Sequence, residues 1–301
     1  MTRAAQNEIF DTVINISDVK KRIAVDFPYF AFDSLYTEPG SGWTVYGDFA
    51  AEQPLGLEVG PVTTAEVGRH LAILGSCAAA LTEKNNFDTQ IYYLAHRAIW
   101  TRSVSAEAEQ FDSSMLSARA RIISRKPTKA IAELLAADTV IGTLIIDYHA
   151  LSARSFELLY SYLRVNEDAF HGTSPYARLL PLHFEECDTC AVVAHLFEAG
   201  YSHSSGHFAN YPVWPVAIIM SGIGQTASHL IRHTVPRIAS YSVAHAKISA
   251  EKLIPLTSSL TFSVRLKDLS ALSCVIESTV YSGEDRVADL TAALHLRSIA
   301  A

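Results

Sequence analysis

Basic clusters are what this sequence most clearly lacks. Its 24 Lys and Arg are outnumbered by 31 Asp and Glu, so the net charge is −7. Nucleic-acid binding normally needs a basic face, and none can be assembled here. Long apolar runs are also missing. The longest, Val216 to Ile231, is closed by His229 and the Arg232-His233 pair, short of the roughly 20 residues of a membrane-spanning helix. Cysteine is scarce. Four (Cys77, Cys187, Cys190, Cys274) in 301 residues do not make a disulfide framework. Met1 to Asp18 is polar and acidic early and has no apolar leader core, so a reducing cytoplasm is the expected compartment. Charged residues reach only 18% against 49% apolar, which argues against disorder and for a substantial core. The length suits one large domain or two medium ones.

Two stretches have no polar face. Thr63-Thr64-Ala65-Glu66 reads as a capping box, and the helix it opens is apolar almost all round from Leu71 to Leu81. The second such helix runs from Pro212 to His233. A helix without a polar face is buried on all sides. The rest reads mostly as strands: two within Phe27–Phe49, then Thr89–Arg102, Met115–Ser124, Ala130–Ala136 and Thr139–Tyr148. A linker helix over Ser152–Leu163 and a polar loop from Asn166 follow. Strands then resume at Leu179–Phe184, Cys190–Phe197, Ile238–Ile254, Leu260–Leu266, Cys274–Tyr281 and Val287–Leu296. An amphipathic helix over Asn7–Arg22 reads as an edge-covering piece. The order strand, strand, buried helix, long strands occurs twice. Ala95-His96 and Ala244-His245 stand 149 residues apart, the offset of a duplicated domain. The expected boundary puts one unit at 1–163, with the linker helix, and the other at 164–301.

The ionisable side chain in the most constrained setting is His207. It lies in Gly206-His207-Phe208-Ala209-Asn210-Tyr211-Pro212-Val213-Trp214-Pro215, a loop pinned at its exit by two prolines and feeding the second buried helix. With Gln225, this segment resembles the active-site stretch of the β-hydroxyacyl-ACP dehydratases, which have the hot-dog fold. The resemblance implies an α+β double hot-dog, two antiparallel sheets each wrapped around a long buried helix. It further implies chemistry on an acyl thioester carried by acyl carrier protein or CoA, with no cofactor of the protein's own and no metal, in a monomer or homodimer. The position at which the family carries its catalytic carboxylate holds Ser221, which cannot act as a carboxylate acid or base. His207 is therefore expected to work across the domain pair with His70 or Glu66 of the first buried helix. The resemblance assigns the thioester carbonyl to the backbone N–H of Val216, with Phe208 and Pro215 beside it. Arg69 reads as a surface charge or a phosphopantetheine contact.

Dehydration of a 3-hydroxyacyl thioester is the first expectation, with His207, near its ordinary pKa, as base. Thioester hydrolysis, or another acyl transfer on the same scaffold, is the second. A non-catalytic acyl- or partner-binding protein is the third, with Ser221 as its support. Ser221 and Gln225 are expected to bond within their helix. Cys77 reads as a core cysteine. The Cys187-x-x-Cys190 pair lacks a second ligand pair for zinc. Gly222-Ile223-Gly224 reads as a close helix–strand approach.

Overall fold

The computed structural model describes residues 12–37, 44–82, 89–103, 116–137, 139–165, 174–197, 200–235 and 238–298. Residues 38–43 between the two strands expected within Phe27–Phe49, Met115, most of the loop after Asn166 and the first turn of the Asn7 helix lie outside them. Elements run β1 (Thr12–Val13), α1 (Ile16–Ile23), β2 (Ser34–Thr37), β3 (Val45–Phe49), α2 (Thr64–Thr82), β4 (Ile91–Arg102), β5 (Leu116–Arg125), β6 (Thr128–Ala136), β7 (Thr139–Ser152) and α3 (Ala153–Tyr160). The second half adds β8 (His183–Phe184), β9 (Ala191–Leu196), α4 (Val216–Thr234), β10 (Ile238–Ala250), β11 (Leu260–Leu269), β12 (Ser273–Ser282) and β13 (Asp285–Ser298).

Among the described residues every strand pairing is antiparallel, and the thirteen strands form one sheet in the order β1-β2-β3-β5-β6-β7-β4-β10-β13-β12-β11-β9-β8. This corrects the expectation of two separate sheets. The halves join where β4 pairs with β10, with Ala98 opposite Ile248 and Ile99 opposite Lys247. Moving Ala98 and Ile99 by the 149-residue repeat offset gives Lys247 and Ile248, so the repeat maps this central pair onto itself. The two strands that would each have been an open edge satisfy their backbone groups on one another. Each also carries a bulge near its marker, at Ala95/Arg97 in β4 and Val243/His245 in β10.

The two buried helices lie on one side of this sheet. α2 packs on β3 to β7, α4 on β9 to β12, and the helices touch each other. Leu71, Leu74, Cys77, Ala78 and Ala80 of α2 are fully buried, as a helix lacking a polar face requires. The Tyr148 hydroxyl of β7 donates to the Ala72 carbonyl at 2.6 Å, and a Cβ on Gly75 would come within 2.4 Å of that hydroxyl oxygen. In α4, a Cβ on Gly222 would meet the Phe262 ring of β11 at 2.4 Å. The close approach expected there is made at Gly222, while the space beside Gly224 is open. Cys77 is a core cysteine whose thiol pKa is pushed up by burial. Among the described residues no helix is long and apolar enough to cross a membrane.

Several boundaries differ from the sequence reading. α1 begins at Ile16 because the Asn15 side chain accepts from Ser17 N–H at 3.0 Å and caps it there. Of Leu179–Phe184, only His183 and Phe184 pair as a strand. β10 stops at Ala250, and the chain beyond it turns to hold the His207 loop.

Candidate functional site

The His207 loop is fixed from both halves of the chain. Gly206 has φ of +77°, a conformation that favours glycine. Its carbonyl accepts from Asp26 N–H at 2.7 Å, and a Cβ on it would come within 2.2 Å of the Asp26 carbonyl oxygen. First-half backbone therefore crosses directly over the loop. His207 N–H donates to the Ser204 carbonyl at 2.8 Å, and His207 forms an isolated bridge with Val25. Phe208 and Asn210 sit at φ of +47° and +68°, bending the chain so that Tyr211 N–H reaches the Phe208 carbonyl at 2.9 Å. The exit is tied down next. Trp214 N–H donates to Ile254 at 2.8 Å, Leu256 N–H to Pro212 at 3.0 Å, and the Trp214 indole to Ser258 at 2.9 Å. Pro215 then starts α4 with no side-chain cap, leaving the first amides of the helix without intrahelical partners.

His207 faces a cavity of about 150 Å³ between α2, α4 and the β4–β10 seam. First-half residues on its wall include Tyr29, Arg69, Ala72 and Ser76; second-half residues include Phe208, Trp214, Val216 and Met220. His96, the repeat marker, also lines it, stacked on His149 at 3.8 Å between ring centroids. The Tyr29 ring meets His207 edge-on at 4.7 Å. His207 Nδ1 is buried without a hydrogen-bond partner, and burial pushes its pKa down to about 3. The near-neutral pKa expected for this histidine is thus corrected: no anion offsets the loss of water around it.

Glu66 and His70 do not line this cavity. They belong to a sealed cluster on α2. Thr63 Oγ1 accepts from Glu66 N–H at 3.2 Å, so half of the expected capping box forms. The Glu66 carboxylate does not reach back to Thr63; it accepts from Glu52 N–H at 2.8 Å and Gln53 N–H at 2.9 Å. Burial alone would raise its pKa, but His70 and the two loop amides more than offset that, and the carboxyl is held below its usual value. Glu66 therefore anchors the Glu52-Gln53 loop to α2. Glu66→Gln puts an amide NH2 against one of those N–H donors, so it is expected to lower stability by about 1–3 kcal/mol, read as a shift in denaturant midpoint.

His70 stacks on Phe49 at 3.9 Å and is completely buried. Arg69 Nη2 lies 3.1 Å from His70 Nε2. Glu66 Oε1 lies 3.5 Å from the same nitrogen, so Nε2 stands between a donor and a carboxylate. Burial, with the nearby Arg69 charge, holds the His70 pKa down to about 4. Arg69 is not a surface charge either. It is buried, paired with Glu52, and its guanidinium lies 4.6 Å over the Tyr176 ring. Ser221 accepts from Gln225 Nε2 at 3.2 Å, the within-helix bond expected of them. Val216 and Phe208 line the cavity and Pro215 does not. Among the described residues no cluster of three or more His, Cys, Asp or Glu could hold a metal ion. Tyr29, Trp100 and His149 on the cavity wall had no sequence signal of their own, because their neighbours there are far along the chain.

No protein-family model matches the sequence, and no curated protein matches it. Solved structures match in shape. A conserved protein of unknown function with hot-dog fold from Alicyclobacillus acidocaldarius superposes with a TM-score of 0.53, covering 95% of this chain and 100% of its own at 10% identity. The chain has the hot-dog fold. An acyl-CoA thioesterase II, TesB2, from Mycobacterium marinum matches this hot-dog chain with a TM-score of 0.51, over 95% of this chain and 99% of its own at 9% identity. The 12:0-ACP thioesterase from Umbellularia californica does so at 0.54, over 85% and 95%, at 9% identity. Coverage of this extent means that the matched hot-dog structures share both halves, not one.

Proposed function

We propose that this hot-dog protein hydrolyses an acyl thioester presented on CoA or acyl carrier protein. The observation that carries the reading is one cavity lined both by the uncapped start of α4 and by His207, whose Nδ1 is buried without a hydrogen-bond partner. The thioester carbonyl accepts from the Val216 and Ala217 amides, where the positive helix end stabilises the oxyanion. Neutral His207 orients a water toward that carbon. Addition of water and loss of the C–S bond release a carboxylic acid and a thiol. The hot-dog thioesterases that match in shape support the same reaction class.

Dehydration, the first expectation, is less well supported. It needs a base strong enough to take a proton from carbon and an acid to protonate the departing hydroxyl. His207 at about 3 is a weak base, and Glu66 and His70 lie outside its cavity. The test is incubation with an acyl-CoA and its 3-hydroxy counterpart, reading free thiol and product mass. Thiol release from either is the expected result. Loss of 18 mass units with the thioester intact would restore dehydration. Neither product would leave the binding-only reading.

A further inference from the structure

α2 contains a glycine that no packing partner explains. Gly75 is required by the Tyr148 hydroxyl, as Gly222 of α4 is by the Phe262 ring. Gly68 differs from both: a Cβ built on it meets nothing within 4 Å. A glycine inside a helix is destabilising relative to alanine, so this one costs stability without sparing any neighbour in the chain. It lines the cavity. Apart from Leu81 in the last turn, the α2 residues that are not buried are Thr64, Gly68 and Ala72. They stand four apart on one face, and all three line the cavity. The accessible stripe of α2 therefore opens onto that space and is smallest at Gly68. Its twin is filled. The two helices are equally long, Thr64–Thr82 and Val216–Thr234, and aligning their ends sets Met220, on the same cavity wall, against Gly68.

The wall around this opening offers mainly hydrocarbon. Several of its polar groups are already bonded within the protein. Thr64 Oγ1 donates to Glu58 at 2.5 Å, Ser76 Oγ to the Ile73 carbonyl at 2.7 Å, the Tyr148 hydroxyl to the Ala72 carbonyl and the Trp100 indole to the Val243 carbonyl at 3.3 Å. Ala65, Ile73, Ala98, Leu144, Ala246 and Ile248 supply much of the remainder. Arg97, Glu251 and Lys252 also line the cavity, but their side chains are more than half exposed, which places them at its solvent end. The volume is about 150 Å³, and an apolar cavity of about 150 Å³ holds a group of six carbons such as benzene.

We infer that the acyl group this protein selects is an unsubstituted aliphatic chain of about six carbons, and that Gly68 is the specificity-determining residue that leaves room for it. The inference rests on the proposed acyl-thioester reading. Each methylene moved from water into apolar surroundings strengthens binding about fourfold. Affinity therefore climbs with chain length while the cavity has room, and falls once further carbons must overpack the wall or stay in water.

The test separates the two readings by measuring binding instead of turnover. The probes are butyryl-, hexanoyl- and dodecanoyl-pantetheine analogues in which a methylene replaces the thioester sulfur, titrated calorimetrically into the full chain. The expected result is that hexanoyl binds about tenfold more tightly than butyryl, with dodecanoyl weaker than hexanoyl. Gly68→Leu fills the space and should bring hexanoyl and butyryl within about twofold of each other. Gly68→Ala adds one methyl group where nothing stands within 4 Å, so it should fold with a raised denaturant midpoint and cut the hexanoyl preference about twofold to fourfold. Equal binding of all three probes by the wild-type chain overturns the inference and leaves thioester binding intact. Dodecanoyl binding more tightly than hexanoyl overturns the length limit. A hexanoyl preference that survives unchanged in the Gly68 variants removes Gly68 from the role, and the alanine variant decides this alone if the leucine variant does not fold. If no probe binds, both this inference and the acyl-thioester reading fall.

Discussion

Alanine in place of His207 is expected to lower kcat for thioester hydrolysis at least a hundredfold, within the range of about 10²–10⁴ for loss of a proton-handling or water-orienting group. The variant should fold normally. The loop is held by backbone bonds from His207 N–H to Ser204 and from Asp26 N–H to Gly206, and Nδ1 has no partner to lose. Circular dichroism should therefore match the parent while thiol release collapses. The pH profile adds a second readout. Burial keeps His207 neutral above about 3, so kcat/KM should show no step near the ordinary histidine value of about 6.5. A variant within about threefold of wild type would make His207 a packing residue of the loop. A step near pH 6.5 that vanishes on substitution would show that the ring is solvated and its pKa ordinary.

Acid lability is the second large effect expected. His70 and His207 are neutral in the folded protein down to about 4 and about 3, while in the unfolded chain each titrates near about 6.5. Above that value both states are neutral and these histidines add nothing to pH dependence. As pH falls below it, the unfolded chain takes up protons that the folded chain refuses, so stability drops and keeps dropping until the folded values are reached. At pH 4.5 the loss is on the order of 2–3 kcal/mol per histidine. His96, also lowered by burial and by His149, acts in the same direction. Glu66, held below its usual value, adds stability that is lost only lower still, as pH falls through its folded pKa. Urea unfolding at pH 7.5, 6, 5 and 4.5 reads the effect, and His207→Ala should remove its share of the slope. Unchanged stability between pH 7 and pH 5 would show that both rings protonate freely in the folded state.

Much of the architecture was legible in the sequence because it rests on local pattern. α2 and α4 betray their burial by lacking a polar face, and β5 and β11 by clean alternation. The Gly206–Pro215 loop declares itself through a glycine before the histidine and prolines at the exit. Cys77, read as a core cysteine, is enclosed in the core. Ser221 and Gln225 were readable as a pair because helix geometry alone brings residues four apart together.

The helix faces were less legible. Glu66, Arg69 and His70 occupy one turn, and their spacing alone cannot say which looks into the cavity. Their surroundings decide it: Phe49 and Phe32 of the first-half strand region take His70, the Glu52-Gln53 backbone takes Glu66, and Glu52 with Tyr176 takes Arg69. Of the two readings of Arg69, surface charge or phosphopantetheine contact, its burial removes the first. A charge can be buried when partners distant in sequence meet it, and those partners carry no local signal.

By itself, the sequence determined that the chain is a strand-rich α+β protein with two buried helices, and that His207 sits in a loop pinned by a glycine and two prolines ahead of the second. Periodicity, capping and proline placement act over a few residues and survive in any arrangement of the halves. Only the tertiary structure decided that the halves share one sheet through β4 and β10, that His207 is neutral, and that its cavity faces Arg69 instead of Glu66 and His70. Each of those outcomes depends on strand edges pairing, water being excluded, or side chains meeting between segments tens of residues or more apart.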